Sequence, residues 1–471
     1  MTTPLRLHPD RLFPAEPRTR DIARSLYEGV KALPIISPHG HTDPAWFALN
    51  EAFPDPAQLL IVPDHYVFRM LYSQGVRMED LGIPTRDGTP VETDPRKIWR
   101  RFADHYHLFR GTPSRLWLDW VFLEVFGINV RLEPATADHY FDTIDAALRT
   151  DAFRPRTLFE RFGIEAIATT ESPLDDLAHH RTIKESGWPG RVITTYRPDP
   201  VMDPEAEGFA ENVVRFGEMA GEDVGTLAGY LRAHQNRRAF FRTHGATATD
   251  HGHRHATTLN LSEAELATLY TKALLGQCDP AEADAFRGAM LVEMARMSLD
   301  DGMVLQLHPG VFRNHNDAVM TRFGPNMGAD IPAPTDYVTA LKPLLDAHGN
   351  DPRLSVILFT LDEDSYSREL APLAGHYPAL KLGPPWWFND SPEGMRRFRE
   401  RATETAGFYN TAGFNDDTRA FLSIPARHDV ARRMDCTWLA QLVADHRLEE
   451  DEAHELARAL AYDLAKAAYK L

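Results

Sequence analysis

Short apolar segments recur along the chain, and longer amphipathic stretches separate them. Several of the short segments are rich in β-branched or aromatic residues, and each spans only four to seven residues, as buried parallel strands do. The pattern therefore predicts eight strands, at Leu33–Ser37, Ile164–Thr170, Val192–Tyr196, Ala239–His244, Met303–His308, Leu354–Thr360, Ala379–Leu382 and Phe408–Gly413.

The stretches between these segments have helical patterns. Pro204 stands near the start of a polar stretch that continues helically towards Leu231, and proline suits a first helical turn. The first residue of Ser262–Leu275 and Glu265 have the layout of a capping box, and Ala281–Ser298 carries apolar residues at helical spacing. Alternation of strands and helices predicts an α/β fold with a parallel sheet, and eight strands predict closure into a (β/α)8 TIM barrel.

One connection is much longer than the others. About 120 residues, 42–163, separate the first and second predicted strands, too many for a single crossover helix. This stretch includes helical patterns such as Arg115–Phe126, so we predict a helical insertion over the barrel mouth. The chain then divides into an N-terminal segment with the first strand (1–41), the insertion (42–163) and the remainder of the barrel (164–471).

Composition narrows the class of protein. With 471 residues, of which 43% are hydrophobic and 25% charged, the chain resembles an ordinary soluble protein, and barrels with insertions reach this length. A net charge of -17 argues against nucleic acid as the main partner, and the sequence has no apolar run of about 18 residues for a membrane. Cys278 and Cys436 form neither a disulfide framework nor a metal motif, which fits a reducing, cytoplasmic location.

Histidines and an aspartate follow three of the predicted strands. His39 and His41 follow the first strand and face the same side, which makes them half of a divalent metal site. His308 ends the fifth strand and Asp417 follows the eighth, so all four side chains are predicted to meet at one mouth. Taken singly, each has an ordinary alternative: polar loop histidines, a hydrogen-bonded core histidine, or the N-cap of the last helix. Their joint placement favours a metal site.

Arginines recur at the same predicted strand ends. Arg197 follows the third strand, Arg313 follows His308, and Arg419 stands two residues after Asp417. A planar guanidinium binds a carboxylate through two parallel hydrogen bonds, so this set suits an organic-acid substrate. For any one of them, a surface position is the alternative.

Seven segments carry a resemblance to a known family. In order, they are Asp64-His65-Tyr66, Thr169-Thr170-Glu171-Ser172-Pro173-Leu174-Asp175, Arg197-Pro198-Asp199, Asp250-His251-Gly252, HPGVFRNHN at 308–316, Trp386-Trp387-Phe388-Asn389-Asp390 and Asp417-Thr418-Arg419-Ala420-Phe421-Leu422-Ser423. Together they resemble the uronate (glucuronate) isomerases of the amidohydrolase superfamily, from about Pro38 to Arg433. The chain departs from the family at Ser37, where an acidic residue is frequent, and at Glu171-Ser172, which replaces a more acidic pair.

The resemblance implies an activity and a set of roles. The family interconverts D-glucuronate with D-fructuronate, and D-galacturonate with D-tagaturonate, by proton transfer through an enediol. It implies Asp417 as the base and a divalent metal, expected to be zinc, on His39 and His41. His308 is a further ligand or supports the ligands from behind.

The resemblance also implies contacts to the sugar acid. His65 and Tyr66 would reach the active site from the insertion, with Tyr66 exchanging hydroxyl protons. The other implied substrate contacts are Arg197, Arg313 and Arg419 to the carboxylate and hydroxyls, Asp250 to a hydroxyl, and Trp386 or Trp387 as a wall against water. Ordinary packing is the alternative for the aromatic residues and a turn or helix-start role for Asp250, whereas His244 and His251 are interpreted as structural.

Two other functions compete with this hypothesis. A metal-dependent hydrolase on the same scaffold would use the same metal ligands, because one fold hosts many chemistries. A sugar-acid binding protein would need the arginines but not the Asp417 base. The arginine set and the Trp386–Asp390 segment favour the isomerase, with a small-molecule uronate as partner. Homo-oligomer formation, with the insertion as an interface, is expected from chain size and family.

Overall fold

The structure, a computed structural model, describes residues 3–471. Its strands in this range are β1 (Ile35–Ser37), β2 (Ile164–Ala168), β3 (Arg191–Ile193), β4 (Ala248–His251), β5 (Val304–Leu307), β6 (Val311–Phe312), β7 (Ile331–Pro332), β8 (Val356–Leu358) and β9 (Leu380–Leu382). Its α-helices are α1 (Pro17–Val30), α2 (Pro44–Leu49), α3 (Pro56–Leu60), α4 (His65–Tyr72), α5 (Pro95–His105), α6 (Pro113–Trp120), α7 (Ala137–Leu148), α8 (Pro155–Arg161), α9 (Ala178–Glu185), α10 (Asp199–Met202), α11 (Phe209–Ala220), α12 (Leu227–Thr243), α13 (Glu263–Leu274), α14 (Pro280–Asp301), α15 (Asp317–Phe323), α16 (Tyr337–His348), α17 (Ala371–Ala374), α18 (Pro392–Ala406), α19 (Ile424–Ala444), α20 (Glu450–Arg458) and α21 (Leu464–Tyr469).

The sheet is built from parallel strands. One part has the order β1-β2-β3 and another the order β4-β5-β8-β9, whereas β6 and β7 form a separate antiparallel pair. Single parallel bridges continue the series, from Tyr196 to Thr249 and from Leu382 to Thr411. After the last bridge the chain returns to the first strand end, where the His41 amide donates to the Thr418 carbonyl at 3.1 Å. This parallel arrangement, with helices between the strands, is compatible with a TIM-barrel-like fold.

Six of the eight predicted strands are confirmed, with shorter bounds, and the fourth is wrong. The segment Ala239–His244 lies at the end of α12 and in its cap, because a short apolar run looks the same in a buried helix as in a strand. The neighbouring Arg238 is fully buried and is bound by Asp301, so its charge does not mark a solvent-facing position. The fourth strand of the parallel series is instead β4. Its sequence, Ala-Thr-Asp-His, is mostly polar and therefore lacks the apolar run that predicts a buried strand.

The eighth predicted strand, Phe408–Gly413, is reduced to the single bridge at Thr411. Among the helices, the capping box of Ser262 with Glu265 is confirmed, and α14 matches its prediction with longer bounds. The prediction of a helix that starts near Pro204 and continues towards Leu231 is wrong. Helix α11 begins only at Phe209 and ends before Gly221, whose backbone is left-handed, and α12 follows from Leu227.

Residues 42–163 contain α2 to α8 and no strand within this described stretch. Their apolar side chains form a core with a large aromatic share, which includes Trp99, Phe102, Phe122 and Tyr140. Helix α4 brings His65 towards the strand ends. Elsewhere in residues 3–471, Cys278 and Cys436 are free thiols, and none of the helices combines the length and apolarity needed to cross a membrane.

Candidate active site

A cavity of about 290 Å³ lies where the parallel strands end. It is lined by side chains that follow different strands, so segments hundreds of residues apart in sequence meet here. The predicted site residues that line it are His39, His41, His65, Arg197, His308, Arg313, Trp386, Trp387, Asp417 and Arg419.

Asp417 lies against the histidine pair that follows β1. Its Oδ1 is 3.2 Å from Nε2 of His41 and 3.5 Å from Nε2 of His39. The backbone of Asp417 has a φ of 39°, in the left-handed region that few residues other than glycine adopt. The next α-helix begins only at Ile424, so Asp417 is not the N-cap of that helix.

His39 also belongs to a second group of donors, with Asp250 and His308. The rings of His39 and His308 stack with their centroids 4.9 Å apart, and Nδ1 of His308 is 2.6 Å from Oδ1 of Asp250. That short approach does not have hydrogen-bond geometry for either atom. The buried His308 ring therefore has Asp250 as its neighbour but no hydrogen bond of good geometry on either nitrogen in residues 3–471.

The donor atoms fit a divalent cation. Nδ1 of His39, Oδ1 of Asp250 and Oδ1 of Asp417 are buried, and the described residues offer none of them a hydrogen bond. An unpaired buried polar atom costs roughly 1–3 kcal/mol, so such a concentration calls for a ligand. Imidazole nitrogens and carboxylate oxygens are the donors that bind zinc and similar ions in proteins.

The ionisation of these groups favours the same conclusion. Burial lowers the pKa of His41 and of His308, so both rings are neutral, the form that ligates metals. Burial alone would raise the pKa of Asp417, but the neighbouring His39 and His41 outweigh burial and lower it. The site therefore offers the Asp417 carboxylate together with the His41 and His308 rings, whose pKa is lowered by burial.

Two arginines at the cavity are held by a network around Gly252. Arg197 donates from Nη1 to Asp250 at 2.8 Å and from Nε to Asp199 at 2.9 Å. The Gly252 amide donates to the same Asp199 carboxylate, and its carbonyl accepts from Nε of Arg313 at 3.0 Å. A Cβ at Gly252 would collide with Nη2 of Arg197, so any larger residue there would displace this guanidinium from its place in the network.

Aromatic rings form one wall of the cavity. The ring centroids of Trp387 and His65 are 4.0 Å apart, and those of Trp386 and His308 are 4.9 Å apart. Tyr66 packs behind Trp387, and its hydroxyl donates to Asp390 at 2.8 Å. Tyr66 and Asp250 thus contact the lining residues without being part of the lining.

Comparison with known proteins settles which family this site belongs to. A family model described as glucuronate isomerase matches residues 18–469. The chain belongs to the glucuronate isomerase family. A uronate isomerase of Mesorhizobium japonicum is 66% identical over 463 residues, which cover 98% of this chain and 99% of that protein.

Solved structures agree with this membership. A glucuronate isomerase of Caulobacter crescentus shares 61% identity and superposes with a TM-score of 0.98, covering 99% of this chain and 97% of its own. A uronate isomerase of Thermotoga maritima shares 28% identity with a TM-score of 0.91, over 98% of this chain and 99% of its own. A putative metal-dependent hydrolase of Lactobacillus casei, at 15% identity and a TM-score of 0.54, shares the fold alone, over 94% of this chain and 97% of its own. As a family member the chain is an isomerase, and the hydrolase alternative is not favoured.

Several residues of this family site were not singled out from the sequence. Asn326 and Asp330 line the cavity, and Asp330 pairs with Arg313 at 3.3 Å; Thr170, quoted only as part of a segment, lines it too. Asn326 and Asp330 lie in the connection between α15 and β7, where no periodic pattern marks them. Asp199 was part of the quoted Arg197-Pro198-Asp199 segment, but its ion pair with Arg197 depends on side-chain geometry that the sequence does not reveal.

The buried carboxyl of Glu171 predicts a pH-dependent stability. Burial raises the pKa of this carboxyl to about 7, although Thr194 donates a hydrogen bond to it. Between the ordinary pKa of 4.5 and about 7, the folded chain keeps a proton that the unfolded chain has lost, so stability falls as pH rises. We expect Glu171→Gln to remove this loss and to increase stability above pH 7 by up to about 3 kcal/mol.

The measurement is the apparent melting temperature of both proteins from pH 4.5 to pH 8. The curves should meet near pH 4.5 and separate as pH rises, whereas the exposed control Glu218→Gln should follow the wild type throughout. A constant offset between wild type and Glu171→Gln at every pH would show that packing, not ionisation, distinguishes them.

Proposed function

We propose that the chain interconverts D-glucuronate with D-fructuronate, and D-galacturonate with D-tagaturonate, by proton transfer through an enediol. The observation that carries the proposal is one cavity in which the ionised Asp417 faces the same space as Arg197, Arg313 and Arg419. A base for a carbon-bound proton and cations for a carboxylate are the two requirements of this reaction.

We propose that the divalent ion is zinc, bound by His39, His41, His308 and Asp417. Nitrogen and oxygen donors in this combination suit zinc better than magnesium or calcium, which prefer oxygen alone. When bound, the ion polarises the sugar oxygens.

Asp417 acts as the base in this proposal, with a constraint on its strength. A carboxylate whose pKa is lowered is a weak base, so proton removal relies on positive charge that acidifies the carbon. Arg419, two residues along the chain in the same cavity, supplies such charge near the developing oxyanion. Full ligation of Asp417 would weaken it further, and we therefore expect Asp417 to be only partly engaged by the ion.

The remaining residues bind and shape the substrate. Arg197 and Arg313 hold the carboxylate, and Trp386 and Trp387 keep water from the enediol. His65 contacts the sugar from the insertion. Asp250 is fully buried and acts on the substrate through Arg197, whereas Tyr66 acts through its contacts with Trp387 and Asp390.

The scaffold proposed for this function is a closed (β/α)8 barrel. Three backbone contacts support closure of the parallel series. They are the bridges from Tyr196 to Thr249 and from Leu382 to Thr411, and the hydrogen bond that the His41 amide donates to the Thr418 carbonyl. Residues 42–163 are the insertion that covers the barrel mouth, between the segments 1–41 and 164–471. The His65 side chain in the cavity supports this position.

The test is incubation of the purified chain with D-glucuronate in D2O. We expect a ketose by colorimetric assay, and deuterium at the carbon that receives the returning proton by NMR. Release of an amine or a phosphate from amide or phosphoester substrates, without ketose formation, would support the hydrolase instead. Binding of the uronate without deuterium uptake or ketose would support a binding protein.

A further inference from the structure

A second cluster of potential ligands lies on the other side of β4 from the catalytic cavity. It consists of Asp199 at the start of α10, His251 at the end of β4, and His253 two residues later. Because successive side chains on a strand point to opposite faces, His251 points away from the side on which Asp250 meets His308. We propose that these three residues form a second divalent-cation site, of the zinc class, which has a structural role.

Unpaired nitrogens are the first observation behind this proposal. His253 is only 6% exposed, and neither of its ring nitrogens has a hydrogen-bond partner in the described part of the chain. Nδ1 of His251 is equally buried and unpaired. Burying an imidazole without a hydrogen bond on either ring nitrogen costs free energy, because both nitrogens lose their contacts with water. An ion bound to one of the nitrogens offsets part of this free-energy cost.

The distances allow a shared ion. One donor atom of each residue lies within 4.8 Å of the others, and Nε2 of His253 is 3.9 Å from Oδ1 of Asp199. Two ligands of a tetrahedral zinc ion, each about 2.1 Å from it, lie about 3.4 Å apart. His253 and Asp199 would therefore approach each other by about half an ångström to share an ion, a shift within reach of side-chain rotation.

The side chains are also oriented as ligands are. Nε2 of His251 lies 3.1 Å from the Thr249 hydroxyl, and a hydrogen bond on that nitrogen leaves Nδ1 free for a metal. The Asp199 carboxylate accepts from Gly252 and from Arg197, but a carboxylate has about four acceptor positions, so Oδ1 keeps capacity for an ion.

Local charge favours a cation at this cluster. Asp199 shares the guanidinium of Arg197 with the fully buried Asp250, and Asp203 and Asp284 near His253 share that of Arg287. Arg313, the further cation nearby, pairs with Asp330. Carboxylates therefore outnumber guanidinium groups around the cluster, which leaves negative charge that a divalent ion would neutralise.

The ion would tie α10 to the segment that follows β4. That segment contains Gly252, whose amide binds Asp199 and whose carbonyl binds Arg313. A cation here would therefore fix both arginines of the cavity from behind, without itself contacting substrate.

The experiment counts zinc on the full-length chain. The protein is stripped with a chelator and reloaded with zinc, and bound zinc per chain is measured by mass spectrometry. We expect two equivalents for the wild type, one for His253→Gln, one for the double variant His39→Gln/His41→Gln, and none when all three changes are combined.

His255→Gln is the matched control, because His255 follows in the same histidine-rich segment but is exposed. It should keep two equivalents. Crystals of the zinc-loaded wild type provide a second measurement that needs no variant, since anomalous diffraction at the zinc edge should give a peak between Asp199 and His253. A wild-type zinc content that His253→Gln leaves unchanged, or a water without anomalous signal at that position, overturns the proposal, and neither result bears on whether the catalytic cavity isomerises uronates.

Discussion

Replacing Asp417 with asparagine is expected to lower the turnover of D-glucuronate by about 10³-fold or more, with most of the bound metal retained. The amide keeps the shape of the side chain but cannot accept the proton from the carbon, and general-base catalysis is typically worth about 10² to 10⁴ in rate. His41 beside His39, and His308 with Asp250 on the other side of His39, remain as donors for the ion. Steady-state ketose formation and metal content are the two measurements.

Asp43→Asn is the control for this change. Asp43 stands two residues after His41, is exposed, and caps α2 through its side chain, a role that asparagine fills equally well. It should retain wild-type turnover. Turnover of Asp417→Asn within tenfold of the wild type would reject Asp417 as the base, and loss of the metal together with activity would show that it is mainly a ligand.

Replacing Arg197 with glutamine is expected to lower kcat/KM by about 10²-fold or more and to destabilise the fold by about 3–5 kcal/mol. The catalytic loss follows from the missing bidentate partner for the substrate carboxylate. The loss of stability arises because Asp250, which is fully buried, and Asp199 keep their charges without the guanidinium that compensates them. Kinetics on D-glucuronate and thermal unfolding report the two effects separately.

Two further variants distinguish these causes. Adding Asp250→Asn to Arg197→Gln removes one unpaired buried charge, so stability should recover in part while kcat/KM stays low. Arg396→Gln, on an exposed helix face with Glu393 and Glu400, should change stability by no more than about 1 kcal/mol. An Arg197→Gln protein as stable as the wild type would contradict the charge-compensation argument.

The sequence predicted the parallel architecture because apolar strand segments carry a clear signal. It failed at β4, where Thr249, Asp250 and His251 replace the apolar residues expected of a buried strand. These polar side chains are buried because they bind one another and the arginine network, a property of tertiary contacts that periodicity does not report. The apolar residues at the end of α12 supplied a false strand in its place.

Most of the site residues proposed from the sequence line one cavity. Histidines, arginines and an aspartate at strand ends are visible in one sequence, and the structure brings His39, His41, His308 and Asp417 together. What the sequence could not reveal is which groups hold the arginines in place. Asp199 pairs with Arg197, two residues earlier across a turn, and Asp330 pairs with Arg313, which is more distant in sequence. Both ion pairs depend on the three-dimensional positions of the side chains.

The hydrogen bond between His41 and Thr418 joins the beginning of the chain to its last quarter. A ribosome adds roughly 5–20 residues per second, so the histidine pair emerges some tens of seconds before its aspartate partner. Throughout that interval the nascent polypeptide holds an incomplete set of donors. Completion of the site is consequently a late event in biogenesis, and a chain that terminates before residue 417 lacks the proposed base however well its earlier portions have folded.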